Sequence, residues 1–355
     1  MSAGPVRGEG RRALLAAGAG VGLLLLSGLA LGWRAAMTSY LAAWLVLLAL
    51  PVGALPLVVL LQRFGGGRCP FLLAGLRRLL SLMPVALLLA LPLLASVWTL
   101  YPWAQGAQPA TPLGKAWFTP VFFVARLIAY GAAWFWLALR LVAQAGTDDR
   151  TAILGCFLHA IVGTLAAQDL VMSLDHRLGS SLAGLLLMSA WSGLALAAAI
   201  LLSPARGEAV GDGDASLTML AVLTAAWAFL HFLQVFIVWS ANLPDEVLWY
   251  FARGGLFGRA LSVLGGLVAV GAALLTLRPG GSVRLVAGAA VALHGAEMFW
   301  FVTPAARDRF GIAWTDVLAL LAIGCLSAAL LPISARLMPR AAAAGREVDA
   351  VSAPT

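Results

Sequence analysis

Charged residues are scarce in this chain, and so are the cysteines that would hold a metal or haem. Only 11% of the 355 residues are Asp, Glu, Lys or Arg, whereas soluble domains carry about a quarter. The three cysteines, Cys69, Cys156 and Cys325, form no C-x-x-C or C-x-x-C-H pattern, so zinc, iron–sulfur and covalent haem sites are not expected. We expect each cysteine to be a small buried apolar residue. Cofactors held by thiolates would have to come from partner chains.

The chain is rich instead in long apolar runs. It is 62% hydrophobic, with a mean hydropathy of +0.96, and runs of about twenty apolar residues recur, which is the length that crosses a bilayer. This pattern excludes a soluble protein and predicts an all-α polytopic membrane protein. Residues 1–340 form one transmembrane domain, followed by a disordered tail at 341–355. The predicted helices span residues 12–32, 40–61, 79–100, 117–142, 151–174, 181–202, 217–240, 256–277, 283–302 and 311–331.

The N-terminal run resembles a signal peptide with a twin arginine at Arg11 and Arg12. Its apolar part is about 20 residues long, against 7 to 15 for a signal sequence, so a retained first helix is favoured. With ten helices and an inner N-terminus, fifteen basic residues fall on the inner side and seven on the outer side. This excess predicts that both termini are cytoplasmic. The net charge of +8 is therefore a topology signal, not evidence of nucleic-acid binding.

The fifth helix ends in a polar stripe. Asp169, Ser173 and His176 are spaced by four and three residues, which would place them on one helical face, and Asp175 lies beside them. A charge at the bilayer centre costs about 2.5 to 3.5 kcal/mol, so we expect the Asp169 carboxylate to be paired or neutral. Arg126, about 13 Å into the fourth helix, is its natural partner. The pair is either part of a proton or quinone site or a structural lock.

Two further helices combine histidine with other polar side chains. His231 and Gln234 share one face of the seventh helix, and His294 and Glu297 share one face of the ninth. An acid beside an imidazole at membrane depth predicts a proton-relay step. Two histidines on facing helices could instead ligate a haem b, and the spacing does not choose between these interpretations.

The remaining ionisable residues and the outer loops have simpler interpretations. His159 is expected to be a packing residue, and Asp316 an N-terminal charge favoured by the helix dipole. The aromatic-rich outer loops suggest a docking face, although most tryptophans fit an interfacial belt. The candidate docking residues are Trp239, Asn242, Asp245 and Glu246.

Three stretches together resemble a known family. Residues Lys115–Arg126, Asp169–Asp175 and Gln234–Tyr250 are similar to the NrfD-like (polysulfide reductase NrfD) membrane subunits of alternative complex III. The similarity is greatest to the smaller of the two membrane subunits of that quinol:cytochrome c oxidoreductase. It extends over about Arg34–Leu330, and the third stretch is the most specific.

The resemblance implies two four-helix bundles with peripheral helices, in a bacterial inner membrane, packed beside a second NrfD-like subunit. Multihaem cytochrome c and iron–sulfur subunits would cover the outer face and supply the haem c and the clusters. Quinol would be oxidised near that face, and this chain would support the reaction or conduct protons. Lipid and quinone would be its small-molecule partners, with no cofactor attached covalently to this chain.

The chain departs from the family at the end of the fifth helix. Asp169-Leu170 and Asp175–Ser180 stand where the family commonly has Asp-Trp and Asp-Pro-His-Trp-Tyr-Ser. The missing aromatics argue against a stacked quinone there, while the carboxylate remains. Two other function classes stay open: a stand-alone proton-coupled transporter or channel, and a structural anchor for peripheral cytochromes.

Overall fold

The computed structural model describes residues 5–64, 69–107, 111–143, 148–203, 212–277 and 283–339. Within these ranges the chain is helical without any strand, and ten helices are long and apolar enough to cross a membrane. The predicted class, an all-α multi-pass membrane protein, is therefore confirmed. The tail predicted at 341–355 lies outside the described residues.

The helices of the first half begin with two long segments and a broken third one. They are α1 (Pro5–Leu31), α2 (Trp33–Phe64), α3 (Pro70–Leu80), α4 (Met83–Leu88), α5 (Leu91–Ala95), α6 (Val97–Leu100), α7 (Pro112–Trp117), α8 (Pro120–Ala143) and α9 (Asp149–Leu170). The second half contains α10 (Ala183–Leu202), α11 (Asp212–Ser240), α12 (Pro244–Arg253), α13 (Gly255–Leu277), α14 (Val283–Val302), α15 (Pro304–Arg307) and α16 (Trp314–Leu337). Short 3₁₀ turns lie at Pro102–Gln105 and Met172–Leu174.

The spanning helices form two four-helix groups. The first bundle contains α2, the α3–α5 segment, α8 and α9, and the second contains α10, α11, α13 and α14. The helix α2 joins them through α10 and α14, while α1 and α16 pack on each other and on α2 at the periphery. This arrangement is the predicted one, with two bundles and peripheral helices.

The central helix α2 packs closely on α10. Gly53 faces the backbone of Trp191, and a Cβ at this glycine would overlap the Trp191 carbonyl group. Small residues that let helix backbones approach are the usual way in which membrane helices gain van der Waals contact. Gly53 therefore sets the distance between the two bundles.

The third span is not the continuous helix predicted at 79–100. It begins at Pro70 and is interrupted near Pro84 and Pro92, because proline removes a backbone donor and clashes with the preceding turn. Two carbonyls at the interruptions are satisfied by α2. The Tyr40 hydroxyl donates to the Leu89 oxygen at 3.0 Å, and Trp44 Nε1 donates to the Ala86 oxygen at 2.7 Å.

The two ends of the bundles differ in their connections. The long-loop face carries residues 101–107, 111–119, 171–182, 241–254 and 303–313. The short-loop face carries the last residues of α2, α8, α10 and α13. The charge count predicts the long-loop face to be the outer one.

Candidate functional site

The Asp169 carboxylate, at the long-loop end of α9, is fully buried and accepts four hydrogen bonds. Arg126 Nε and Nη2 approach it at 2.8 and 2.9 Å. The Tyr130 hydroxyl donates at 2.9 Å and Trp117 Nε1 at 3.0 Å. The expected partner of Asp169 is therefore Arg126, whose guanidinium also lies 4.1 Å from the centre of the Trp117 ring. Both carboxylate oxygens are held by fixed donors, which is the geometry of a lock between α8 and α9.

The predicted single face of Asp169, Ser173 and His176 is wrong. The helix α9 ends at Leu170, and the following 3₁₀ turn redirects the chain. The Ser173 hydroxyl donates to the Asp169 carbonyl at 2.6 Å and so satisfies an acceptor at the helix end. His176 is exposed on the long-loop face. Asp175 turns inward, and its backbone is extended.

Asp175 is the partner of two arginines. Arg177 Nε lies 2.8 Å from its Oδ1, and Arg253 Nη1 lies 3.7 Å from its Oδ2. Burial raises the pKa of Asp175, but the hydrogen bonds and charge of Arg177, together with the charge of Arg253, outweigh it and hold the pKa below its usual value. Asp175 is therefore a stable anion that compensates the buried Arg253.

Arg253 at the end of α12 is a site residue that the sequence pattern did not reveal. Only 2% of it is exposed, and its guanidinium lies 3.5 Å from the centre of the Trp249 ring. Its Nη1 and Nη2 donate to the carbonyls of Trp249 and Phe301 at 3.0 and 2.8 Å. Its Nε is buried without a hydrogen-bond partner. Burial lowers the pKa of this guanidinium, and Asp175 partly offsets that effect.

The second bundle holds an acid–base triad of Glu297, His231 and His294, in which Glu297 and His294 are buried and His231 is partly exposed. His231 Nε2 lies 2.7 Å from Glu297 Oε1, and His294 Nδ1 lies 3.0 Å from Oε2. Trp227 Nε1 donates to the same carboxylate at 2.9 and 3.1 Å. The sequence placed the imidazoles and the carboxylate at similar depth on α11 and α14, and the structure brings them together.

This geometry favours a proton relay over haem ligation. Each imidazole directs one ring nitrogen to Glu297, so the carboxylate occupies the space between the two rings. The other nitrogen of His294, Nε2, packs so closely on Gly193 that even a Cβ there would clash. An iron atom therefore has no room to bind to that nitrogen. Imidazole is the side chain that most often acts as a general acid or base, so its contact with a carboxylate suits proton transfer.

The triad opens on a cavity of about 570 Å³ between α11, α12, α13 and α14. His231 and Glu297 line it, together with Arg253 and the aromatic rings of Trp227, Tyr250 and Trp300. Phe232 and Val235, which are exposed on the apolar surface of α11, also belong to its wall. The cavity is therefore reachable from the membrane side and combines rings with a few polar groups, as small-molecule sites do.

A polar chain of Ser180, Gln234 and Glu246 lies between the triad and the long-loop face. A small cavity of about 10 Å³ lies between His231 and Gln234, close to the minimum that holds one water. Gln234 Oε1 accepts a hydrogen bond from the Ser180 hydroxyl, and Gln234 Nε2 donates to Glu246 Oε2 at 3.0 Å. Burial raises the pKa of Glu246, and the hydrogen bond from Gln234 opposes that rise.

The predicted docking residues do not share one environment. Trp239, Asn242 and Asp245 are exposed at the long-loop face. Glu246 is buried against Gln234 and is not available for docking. The sequence missed this because adjacent residues at the start of α12 point in different directions.

Three other polar positions complete the comparison with the sequence. His159 is buried and its Nδ1 has no hydrogen-bond partner, which fits a packing role. Asp316 is more than a helix-terminal charge, because Arg307 Nη2 lies 2.6 Å from it and the Ser39 hydroxyl donates to it at 2.8 Å. This cluster fastens α16 to α2. Cys156, expected to be buried, is exposed on α9.

The chain was also compared with known proteins. No protein-family model matches it, and no curated protein is significantly similar to it. The triad, the cavity and the polar chain are therefore the features that indicate a function.

Proposed function

We propose that this chain is the membrane subunit of a quinol:electron-acceptor oxidoreductase of the alternative complex III type, and that its triad takes up the protons of quinol. One observation carries the proposal. A carboxylate held between two imidazoles lines a cavity of about 570 Å³ that opens on the apolar surface. A membrane-soluble substrate that loses protons would need this combination of access and base.

Two polar side chains that line the cavity, those of His231 and Arg253, have separate roles in this proposal. His231 offers an imidazole beside Glu297, which suits the acceptance of a proton from a quinol hydroxyl. Arg253 also lines the cavity, and its positive charge would favour a quinol oxygen that loses its proton. Trp227 and Trp300 supply apolar faces for an aromatic head group.

The protons would leave through the polar chain. A water in the small cavity beside His231 would connect the triad to Gln234, and Gln234 contacts Glu246 near the long-loop face. Burial raises the pKa of the Glu246 carboxyl, which would help this group to take up a proton and pass it on at the long-loop face. The electrons would pass to haem c and iron–sulfur clusters in partner subunits.

The other two function classes are less well supported by the geometry. A broken helix such as the third span is typical of transporters, but residues 81–95 contain no ionisable side chain. The break is instead satisfied by Tyr40 and Trp44, as expected where irregular backbone is buried in protein. A purely structural anchor would not require a buried triad beside a cavity.

The first test is Glu297→Gln in the complex purified through this chain. We expect quinol oxidation to fall about 100-fold or more, because the base beside His231 is lost. As a control, Asp308→Asn removes an exposed carboxylate on the long-loop face and should leave the rate of quinol oxidation unchanged. Assembly is checked by subunit composition. An assembled Glu297→Gln complex with the full rate and the same pH profile would refute the proposal.

A second pair of variants tests the cavity itself. Gly266 lines the cavity and has open space around it, so Gly266→Leu should occupy the volume without disturbing the helices and raise the KM for quinol. Gly288 also has open space but does not line the cavity, which makes Gly288→Leu the matched control. Equal KM values for the two variants would remove the cavity from the reaction.

A further inference from the structure

A second cavity, of about 630 Å³, lies between α2 and α9 at the short-loop end of the first bundle. Val59 and Phe64 of α2 line it, together with Ile153, Cys156 and Phe157 of α9. Phe64, Ile153 and Phe157 are exposed on the surface of the bundle. The cavity is therefore an open apolar groove, and neither the triad nor the polar chain uses it.

The length of the groove matches one leaflet of a membrane. Its α9 wall runs from Asp149 to Ala160, which is about 16 Å at 1.5 Å per residue. Half of a bilayer's hydrocarbon core is about 15 Å. The groove thus extends from the membrane surface to about the middle of the bilayer.

Both charges of the groove lie at its membrane-surface end. Arg63 Nε is 2.6 Å from Asp149 Oδ1, and the two side chains are 44% and 70% exposed. An exposed pair of this kind contributes little to stability, so a ligand that satisfies both charges can open it. The far end, formed by Phe157 and Ala160, is apolar.

We propose that this groove binds a zwitterionic phospholipid whose head group carries a primary ammonium. An acyl chain would occupy the apolar groove, the phosphate would pair with Arg63, and the ammonium would donate to Asp149. An anionic lipid such as phosphatidylglycerol has the same phosphate but no ammonium, and would leave Asp149 without a cation once Arg63 pairs with the phosphate. A quaternary head group has no N–H to donate. The paired charges at the membrane surface therefore favour an ethanolamine-type lipid over both alternatives.

The test uses the full chain in vesicles of phosphatidylethanolamine, phosphatidylcholine and phosphatidylglycerol in equal amounts, with the same acyl chains. After gentle detergent extraction, the lipids that remain bound are measured by native mass spectrometry. We expect the ethanolamine lipid to be retained several-fold over the other two. Arg63→Gln should abolish retention of all three, while Arg336→Gln, an exposed arginine elsewhere on the short-loop face, should change nothing.

Two variants separate the head-group contact from the chain contact. Asp149→Asn should keep lipid bound but remove the preference for ethanolamine over choline, because the anionic partner of the ammonium is lost. Ala160→Phe should fill the apolar end and reduce retention of every lipid without changing either charge. Retention of phosphatidylglycerol in preference, or equal retention by the wild type and Arg63→Gln, would overturn the proposal.

Cys156 provides a local readout, since this exposed thiol lines the groove. We expect N-ethylmaleimide to modify Cys156 several-fold more slowly in ethanolamine-containing vesicles than in choline-only vesicles, as measured by peptide mapping. In Arg63→Gln the two rates should be equal. Protection of Cys156 that persists without any ethanolamine lipid and coincides with cross-linking to a second chain would make the groove a protein interface and overturn the proposal.

Discussion

Asp169 and Glu297 are both buried carboxylates in membrane-spanning helices, but their neighbours assign them different chemistry. Asp169 is held by a guanidinium, a phenol and an indole, which fix both of its oxygens. Glu297 is held between two imidazoles, and imidazole is the side chain that most often acts as a general acid or base. We infer that Asp169 is a fixed charge and that Glu297 belongs to a proton route.

This difference predicts the outcome of Asp169→Asn. Removing the carboxylate charge leaves Arg126 buried without an anion, which costs about 3 to 5 kcal/mol in comparable pairs. We expect a clear loss of thermal stability in detergent, measured by a thiol-independent unfolding assay. The double variant Asp169→Asn/Arg126→Gln should recover part of that loss, because no unpaired charge remains. A fully stable, assembled Asp169→Asn variant with lost quinol activity would instead place Asp169 on the reaction route.

The sequence predicted some of these residue contacts and missed others for a physical reason. Arg126 and Asp169 were paired because each is an isolated charge in an apolar run, and such charges must find each other. Arg253 and Arg307 end the short helices α12 and α15, between the predicted spans, and both are drawn into the protein by Asp175 and Asp316. Helices this short show too little periodicity in the sequence for their tertiary partners to be predicted.

At the scale of the helices, the length and apolarity of the sequence runs predicted most of the architecture. The ninth predicted helix, 283–302, coincides with α14, and several others agree within a few residues, because bilayer thickness fixes the length of a span. The helix α2 begins at Trp33, seven residues before its predicted start, since its polar first turns are buried in the protein. The prediction of a continuous third span at 79–100 was wrong, because the span is interrupted near Pro84 and Pro92 and side chains of α2 satisfy the carbonyls there.

The close contact of α2 with α10 predicts that Gly53→Ala is destabilising. A Cβ at Gly53 would overlap the backbone of Trp191, and forcing such a contact costs about 1 to 3 kcal/mol. The variant should unfold at a lower temperature in detergent. Gly324→Ala in α16, where a Cβ meets nothing within 4 Å, is the matched control and should be neutral. Equal melting temperatures for both variants would mean that the two bundles can separate without cost.

At the scale of the molecule, the two bundles hold different features at opposite faces. The acid–base triad and its polar chain lie towards the long-loop face, while the apolar groove between α2 and α9 opens near the short-loop face. The long-loop face also exposes large apolar side chains, among them Trp239 and Phe251 at 76% and 74%. In the proposed function, the subunits that accept electrons would dock on this exposed apolar surface.

If the chain has the proposed function, this placement predicts that Trp239→Ala/Phe251→Ala weakens the binding of the proposed peripheral subunits. When the complex is purified through a tag on this chain, the double variant should lose c-type haem absorbance while the second membrane subunit remains, because only the long-loop face is changed. Leu337→Ala removes an exposed apolar side chain near the short-loop face and should retain the full haem content.

If the wild-type chain purifies alone, without haem or a second membrane subunit, the result supports a stand-alone transporter and contradicts the proposed oxidoreductase. If the wild type carries haem and the double variant keeps all of it, these aromatics belong to the interfacial belt and the subunits dock elsewhere on that face.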